Sequence, residues 1–382
     1  MKILHLTGEV EDTGGVLSVI RNIQQASGAW GWQHGLWVNK NFRQLRNPIL
    51  DLRQSRFARA DSPSHLKLLA NALPAVFELK ALLRRESFDI LHAHTRGALL
   101  VSLALAVLWK KQVVFTNHNY PRRLGLYQRA AAHQNIHTTF LTRHMADSMG
   151  IRLCPPRTSV VHSCCADSVF QEPLSSRSFS VGPDTLRLTG LGSLVRWKGW
   201  HLVIQAMALL ARDDRSRVRF SLYGPTFDTA ESKAYEAELK GMVRAAGLDE
   251  QFIFCGPSLN VSEVLRGTDF LLHPTPKEPF GVVLVEAMAL GIPVLASNEG
   301  GPAEIVQQGE NGLLFKSGDV SDIAEKLSQV LHGYFKPRPP EWIRESVRRF
   351  SATEIARAYG VVYEDVLQGR VNARPRTPSQ SR

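Results

Sequence analysis

The sequence predicts an α/β protein of two Rossmann-like domains facing a central cleft. Three observations carry this expectation. The chain has 382 residues, whereas single domains commonly hold roughly 100–200. Short apolar runs alternate with stretches of helical periodicity, as tandem βα units do when they build parallel sheets. The alternation breaks once, at the Ser-, Pro- and Gly-rich stretch QEPLSSRSFSVGPD, and then restarts. The expected division is a first domain over 1–170, a linker over 171–184, a second domain over 185–345, a C-terminal helix over 346–368 and a disordered tail over 369–382.

The elements follow in order. KILHLT reads as a buried strand. GGVLSVIRNIQQAS places Val16, Val19, Ile20 and Ile23 on one helix face. Residues 64–86 read as an amphipathic helix kinked at Pro74. DILHAH is a strand, ALLVSLALAVLW a core helix and QVVFTNHN a strand. TTFLT and SVVHS are two more strands, with the MADSMG helix between them. After the linker, strands are expected at LRLTGLG, VRFSLYG, FIFCG, DFLLHPT, PVLAS and GLLFK. Helices are expected between them, and Ser351 to Leu367 closes the series as a helix.

Composition narrows the class. Hydrophobic residues make up 44% of the chain, ordinary for a globular protein. No run reaches the roughly 18 apolar residues of a membrane span. The start, MKILHLTGEVEDTGG, turns acidic and glycine-rich too soon for a signal peptide. The four cysteines, Cys154, Cys164, Cys165 and Cys255, show no CxxC or Cys/His ligand spacing, so they are expected to be buried free thiols in a reducing cytoplasm. Net charge is +11, and all of it lies in residues 1–170, with 21 Lys and Arg against 10 Asp and Glu; residues 171–382 hold 25 of each. A one-sided basic field attracts phosphates, nucleic acid or an anionic membrane face.

Ligands of open α/β sheets bind beyond the carboxyl ends of the strands. Five strand-to-helix loops therefore stand out. Gly14 and Gly15 precede a helix, where backbone amides can approach an anion; this is not GxGxxG, so a nicotinamide-dependent enzyme lacks its fingerprint. His118 ends a strand in FTNHNY. Arg196 and Lys198 stand in GSLVRWKGW, where two cations beside a helix start suit a diphosphate. Gly224 and Pro225 form a turn after VRFSLY. Each has an ordinary structural reading as well: a packed histidine, surface basicity, a simple turn. The fifth loop is PTPKEP before the helix GVVLVEAMALG. Glu278 lies in the loop, and Phe280, Gly281 and Val282 open the helix with amides aimed at the same spot. Glu286 sits about one and a half turns into the helix, where a carboxylate among apolar residues needs hydrogen-bond partners. Sugar hydroxyls or backbone amides would both serve.

EPFGVVLVEAMALGIPVLAS followed by GGPAEIV resembles the Glu-x7-Glu signature of GT-B retaining glycosyltransferases, in particular glycosyltransferase family 4. The resemblance spans nearly the whole chain, since DILHAH, FTNHN, GSLVRWKGWHLVIQA, DFLLHPT and FSATEIARAYGVVYEDVL fall in the expected order. It implies a GT-B fold whose C-terminal helix returns to the first domain. It implies that Glu286 holds the ribose hydroxyls of a nucleotide-sugar donor and that Glu278 lies by the donor sugar, with the amides of Phe280 and Gly281 nearby. Lys198 would neutralise the diphosphate, Gly15 would approach the diphosphate or acceptor, and His118 would face the reacting centre. No metal and no bound cofactor are implied; the donor is a UDP- or GDP-sugar co-substrate, and transfer retains the anomeric configuration. The sequence departs from the family at Gly192-Ser193-Leu194, where an arginine usually follows the glycine. Arg196, three residues on from Ser193, is the candidate substitute.

The acceptor is expected on the basic first domain. Arg122 and Arg123 near His118, with Lys67, Lys80, Arg84 and Arg85 on the 64–86 helix, fit a phosphorylated or lipid-linked glycan acceptor and peripheral contact with the anionic inner face of the membrane. The expected setting is cytoplasmic synthesis of bacterial lipopolysaccharide or another surface polysaccharide. A nucleotide-sugar epimerase or phosphorylase of the same architecture is the alternative. A basic nucleic-acid-binding protein would explain the charge, but helix-turn-helix, zinc-finger and RNA-binding signatures are missing.

Overall fold

The computed structural model describes residues 1–11, 14–44, 51–56, 65–175, 185–258 and 260–369. It divides into two compact units, Met1–Cys164 with Ala352 onward, and Cys165–Ser351. Most of the expected linker and the tail from residue 370 lie outside the described residues.

The first unit holds β1 (Lys2–Leu6), β2 (Gln33–Val38), β3 (Asp51–Gln54), β4 (Ile90–Ala93), β5 (Val113–Asn117), β6 (Ile136–Phe140) and β7 (Thr158–Val160). They form one sheet in the order β3-β2-β1-β4-β5-β6-β7, every pair parallel. A parallel sheet needs apolar residues on both faces, and β4 and β5 are buried throughout. Ile3, Val19, Ile90 and Val114 pack with Ile355, Tyr359 and Tyr363. The C-terminal helix Ala352–Leu367 is thus part of the first unit's core, as expected.

The second unit holds β8 (Leu186–Leu191), β9 (Val218–Tyr223), β10 (Phe252–Gly256), β11 (Phe270–His273), β12 (Val294–Ser297) and β13 (Gly312–Phe315). Their order is β10-β9-β8-β11-β12-β13, again parallel. Its core joins Trp200, Met207, Phe220, Leu239, Phe270 and Leu327. The strand order reverses between β8 and β11 here, and between β1 and β4 in the first unit. Crevices beyond the carboxyl ends at such switch points are where α/β sheets bind ligands.

The helix expected over 64–86 is His65–Arg85, with Pro74 inside it as expected. Several other local expectations change. β2 was not expected, because His34 and Gly35 interrupt its apolar run; β3 is a short, half-exposed polar edge, which carries little sequence signal. Cys164 and Cys165 are buried as expected, but Cys154 is half-buried and Cys255 exposed. Gln171, the first expected linker residue, instead closes the helix Asp167–Gln171.

Candidate active site

The two neighbouring strands at the second unit's switch point deliver its charged residues. After β8 the chain runs through Gly192 and a single helical turn, Arg196–Lys198, into the helix Trp200–Leu209. Gly199 makes this turn possible with φ +79°, and a Cβ there would lie 2.8 Å from the carbonyl oxygen of Pro274. The glycine therefore lets the β8 loop close on the loop that follows β11. The result is an ion pair, with Lys198 Nζ 2.7 Å from Glu278 Oε2.

Glu278 is buried. The same Oε2 accepts a second hydrogen bond from His273 Nε2 at 3.0 Å. Burial alone would raise the pKa of this carboxyl, but the His273 hydrogen bond and the Lys198 charge outweigh burial and hold it at about 2. His273 is itself kept from protonating by burial. As a neutral ring it donates through Nε2 and leaves Nδ1 as an interior lone pair without a partner. His273 had no assigned role in the sequence reading. Its one signal was an imidazole at the end of a buried strand, five residues before Glu278.

The backbone around Glu278 is equally constrained. Its carbonyl accepts from Gly301 N at 2.8 Å. A Cβ on Gly301 would stand 2.0 Å from the carbonyl oxygen of Phe280, so only glycine fits. Phe280 is buried against Phe350. Gly281, at φ +98°, caps the helix Val282–Ala289. Phe280, Gly281 and Val282 thus stand at the helix start, as read from the sequence.

Glu286 lies on that helix, half-buried. Among the described residues its carboxyl meets no hydrogen-bond or ion-pair partner, and burial pushes its pKa up to about 7. The site therefore holds two carboxyl groups of opposite character: one ionised and clamped, one unpartnered and poised near neutrality.

Arg196 is placed differently from Lys198. Its guanidinium pairs with Glu238 and lies over the ring of Tyr235, both on the helix Ala230–Ala245. Gly224 has a packing reason to be glycine: a Cβ there would lie 1.9 Å from the Gly192 carbonyl oxygen.

Gly15 and His118 belong to the first unit. Gly15 begins the helix Gly15–Ser27, and a Cβ on it would meet nothing within 4 Å. His118 follows β5 and lines a cavity of about 790 Å3 with Arg96, Arg122, Arg123, Arg129 and Tyr120. Glu9 is the acidic residue among the lining. The basic excess of the first half is thus concentrated partly at this cavity. Among the described residues, His5, His92 and His94 bring one nitrogen each within 4.8 Å of one another, a set that could hold a metal ion. These nitrogens already engage one another, His34, Tyr363 and Thr116 in hydrogen bonds.

The family model for glycosyl transferases group 1 matches residues 179–348, and that for Glycosyltransferase Family 4 matches residues 13–163. The chain belongs to the family 4, group 1 glycosyltransferases. Among relatives, it is 32% identical over 174 residues to the N-acetyl-alpha-D-glucosaminyl L-malate synthase of Bacillus anthracis, a match covering 45% of this chain and 43% of that protein. It is 26% identical over 297 residues to the lipopolysaccharide core biosynthesis mannosyltransferase LpsB of Rhizobium meliloti (strain 1021), covering 72% of this chain and 79% of that one. Among solved structures, the sucrose-phosphate synthase of Thermosynechococcus elongatus superposes with a TM-score of 0.79 at 20% identity, over 96% of this chain and 99% of that one. HepE of Anabaena, solved with UDP-glucose, gives 0.70 at 19% identity over 96% and 100%. These structural likenesses establish the GT-B fold.

Proposed function

We propose that this glycosyltransferase moves a sugar from a UDP- or GDP-sugar to a glycan or lipid-linked acceptor, with retention and without a metal, in the assembly of a bacterial surface polysaccharide or lipopolysaccharide. The observation that carries the donor reading is the contrast between the two glutamates. Glu278 is fixed by Lys198 and His273, while Glu286, eight positions on, keeps an unsatisfied carboxyl. A ribose supplies two hydroxyl donors to the second, and its hydrogen bonds favour the ionised form. Lys198, seated beside Glu278, is the cation for the diphosphate. As the bond from the anomeric carbon to the leaving phosphate oxygen breaks, Lys198 and the amides of Phe280, Gly281 and Val282 stabilise the charge that develops there. The acceptor oxygen bonds to the same face of that carbon, and its proton passes to the departing phosphate. The products are a glycoside and a nucleoside diphosphate.

The arginine-lined cavity around His118 supports an anionic acceptor. The name of LpsB supports the lipopolysaccharide setting, and the UDP-glucose held by HepE supports the donor class. Among the described residues no helix is long and apolar enough to cross a membrane. Contact with a bilayer would instead use exposed Leu73, Phe77, Val107 and Leu108 on two contacting helices of the basic unit, at the cytoplasmic face.

A thermal-shift panel of UDP, GDP and ADP with their sugars, on wild type and Glu286→Ala, tests the donor reading. A nucleotide at about 100 times its Kd stabilises by roughly 2.7 kcal/mol. One nucleotide should raise the wild-type melting temperature and leave the variant unmoved. Equal shifts in both proteins would remove Glu286 from the donor site.

A further inference from the structure

Four imidazoles of the first unit form a continuous buried chain. Ser27 Oγ lies 2.9 Å from His34 Nε2, and His34 Nδ1 lies 2.9 Å from His5 Nε2. His5 Nδ1 lies 2.9 Å from His94 Nε2, and His94 Nδ1 lies 3.0 Å from His118 Nε2. The residues come from neighbouring positions across the sheet: His34 on β2, His5 on β1, His94 just after β4 and His118 just after β5. Every link runs in the same sense, Nδ1 of one ring to Nε2 of the next.

A neutral imidazole carries one proton and one lone pair. Burial keeps these rings neutral: it lowers His34 and His118 to about 4 and takes His5 and His94 well below the usual value. Each link needs one donor and one acceptor, so the four tautomers cannot be chosen independently. Either all four carry the proton on Nδ1, or all four carry it on Nε2.

The far end makes the choice. Ser27 has a single hydroxyl proton, and its Oγ lies 2.7 Å from the carbonyl oxygen of Ile23, which can only accept. If Ser27 gave its proton to His34, two oxygens would face each other at that distance with no hydrogen between them. Ser27 therefore donates to Ile23 and accepts from His34 Nε2–H. The same sense then passes through His5 and His94 to His118, whose Nε2 donates to His94. Nδ1 of His118 is left as a lone pair. Among the described residues it meets no partner, and His118 lines the 790 Å3 cavity.

We propose that Ser27 fixes the tautomer of His118 through His34, His5 and His94, so that His118 presents an unprotonated Nδ1 to the cavity. The four distal groups are positioning residues. The use of that lone pair, to accept a hydrogen bond from a reacting hydroxyl, rests on the transferase reading above; the tautomer itself does not. His92 stands beside the chain without interrupting it, since its nitrogens engage Tyr363 and Thr116.

Two-bond 15N–1H correlation spectra of the full chain labelled with 15N-histidine test this directly. Wild type should show His118, His94, His5 and His34 all as the Nε2–H tautomer; His118 as Nδ1–H would overturn the proposal. In Ser27→Ala, His34 Nε2–H would be a buried orphan donor, which costs more than an orphan lone pair. The chain should reverse, and His118 should become Nδ1–H; an unchanged tautomer would refute control from Ser27. The wild-type spectrum decides the matter if that variant does not fold. Stoichiometric zinc bound by wild type and lost in His5→Gln would also overturn the chain, because a metal would consume its lone pairs. Wild-type turnover in His118→Gln would sink the use of the lone pair in transfer and leave the tautomer standing.

Discussion

Lys198 and Glu278 meet across two loops separated by 80 residues of sequence, at 2.7 Å. The pair exists because β8 and β11 are neighbours in the sheet although the chain visits β9 and β10 between them. Both side chains are largely withdrawn from water, 14% and 11% exposed, so neither charge is well compensated without the other. Lys198→Ala should therefore do two things. It should cut kcat by about 10²–10³-fold through the loss of transition-state charge stabilisation. It should also destabilise the unliganded protein, by up to about 3 kcal/mol if breaking the pair behaves as other buried pairs do. Steady-state kinetics and urea unfolding would check the two effects. A variant with wild-type kcat would remove Lys198 from the chemistry.

Glu286 makes stability depend on pH in a direction opposite to an ordinary salt-bridged acid. Its folded pKa, about 7, is raised from 4.5. The folded state therefore favours the protonated carboxyl. Its contribution is fully present below pH 4.5 and is lost as pH rises through 7, at most about 3 kcal/mol over that window. Glu286→Gln keeps the shape and removes the titration. It should melt higher than wild type at pH 8, with the difference closing towards pH 5. A difference that is constant with pH would show that the carboxyl does not titrate in this range.

Arg196 separates charge from location. The sequence offered it as a substitute for the arginine missing at Ser193. In the structure its guanidinium is engaged by Glu238 and Tyr235, with the side chain 57% exposed. Exposed pairs contribute only about 0–1 kcal/mol. Arg196→Ala should therefore change stability by less than about 1 kcal/mol and leave KM for the donor within a few-fold, far from the effect at Lys198. A large rise in KM would mean that the guanidinium leaves Glu238 when the donor binds.

What could be read in advance follows from how local each signal is. Alternating apolar runs and helical periodicity marked most elements, and the ordered motifs around Glu278 and Glu286 placed both on one loop-and-helix segment. The pairing of His273 with Glu278 is not legible in the sequence, because it is a matter of side-chain direction after the loop folds back. Arg196 shows the same limit: spacing puts it near Lys198, while the helical turn Arg196–Lys198 sends the two side chains to different partners, Glu238 and Glu278. The chain from Ser27 to His118 includes a direct bond between His5 and His94, 89 positions apart in sequence. Only the parallel register of β2, β1, β4 and β5 brings those rings together, and no single-sequence pattern reports it.

Glycines give the last prediction, because the structure sorts them by what a methyl group would strike. At Gly224 a Cβ would lie 1.9 Å from the backbone of Gly192, and at Gly301 it would lie 2.0 Å from the backbone of Phe280. Neither obstacle is a flexible side-chain end, so the loops themselves must move. Gly301→Ala should cost several kcal/mol, in the upper range of single substitutions, and should disturb Glu278, whose carbonyl bonds to Gly301 N. Gly15 is the counter-case. It opens a helix, and a Cβ there meets nothing within 4 Å. Gly15→Ala should leave unfolding within about 0.5–1 kcal/mol of wild type, since alanine is the better helix former. If the space over Gly15 serves a phosphate or the acceptor, the same variant should lower kcat/KM at least about tenfold, roughly 1.4 kcal/mol of transition-state binding. Measuring melting temperature and kcat/KM on both variants separates the two kinds of glycine. A Gly15→Ala enzyme with unchanged kcat/KM would return Gly15 to being a helix start and nothing more.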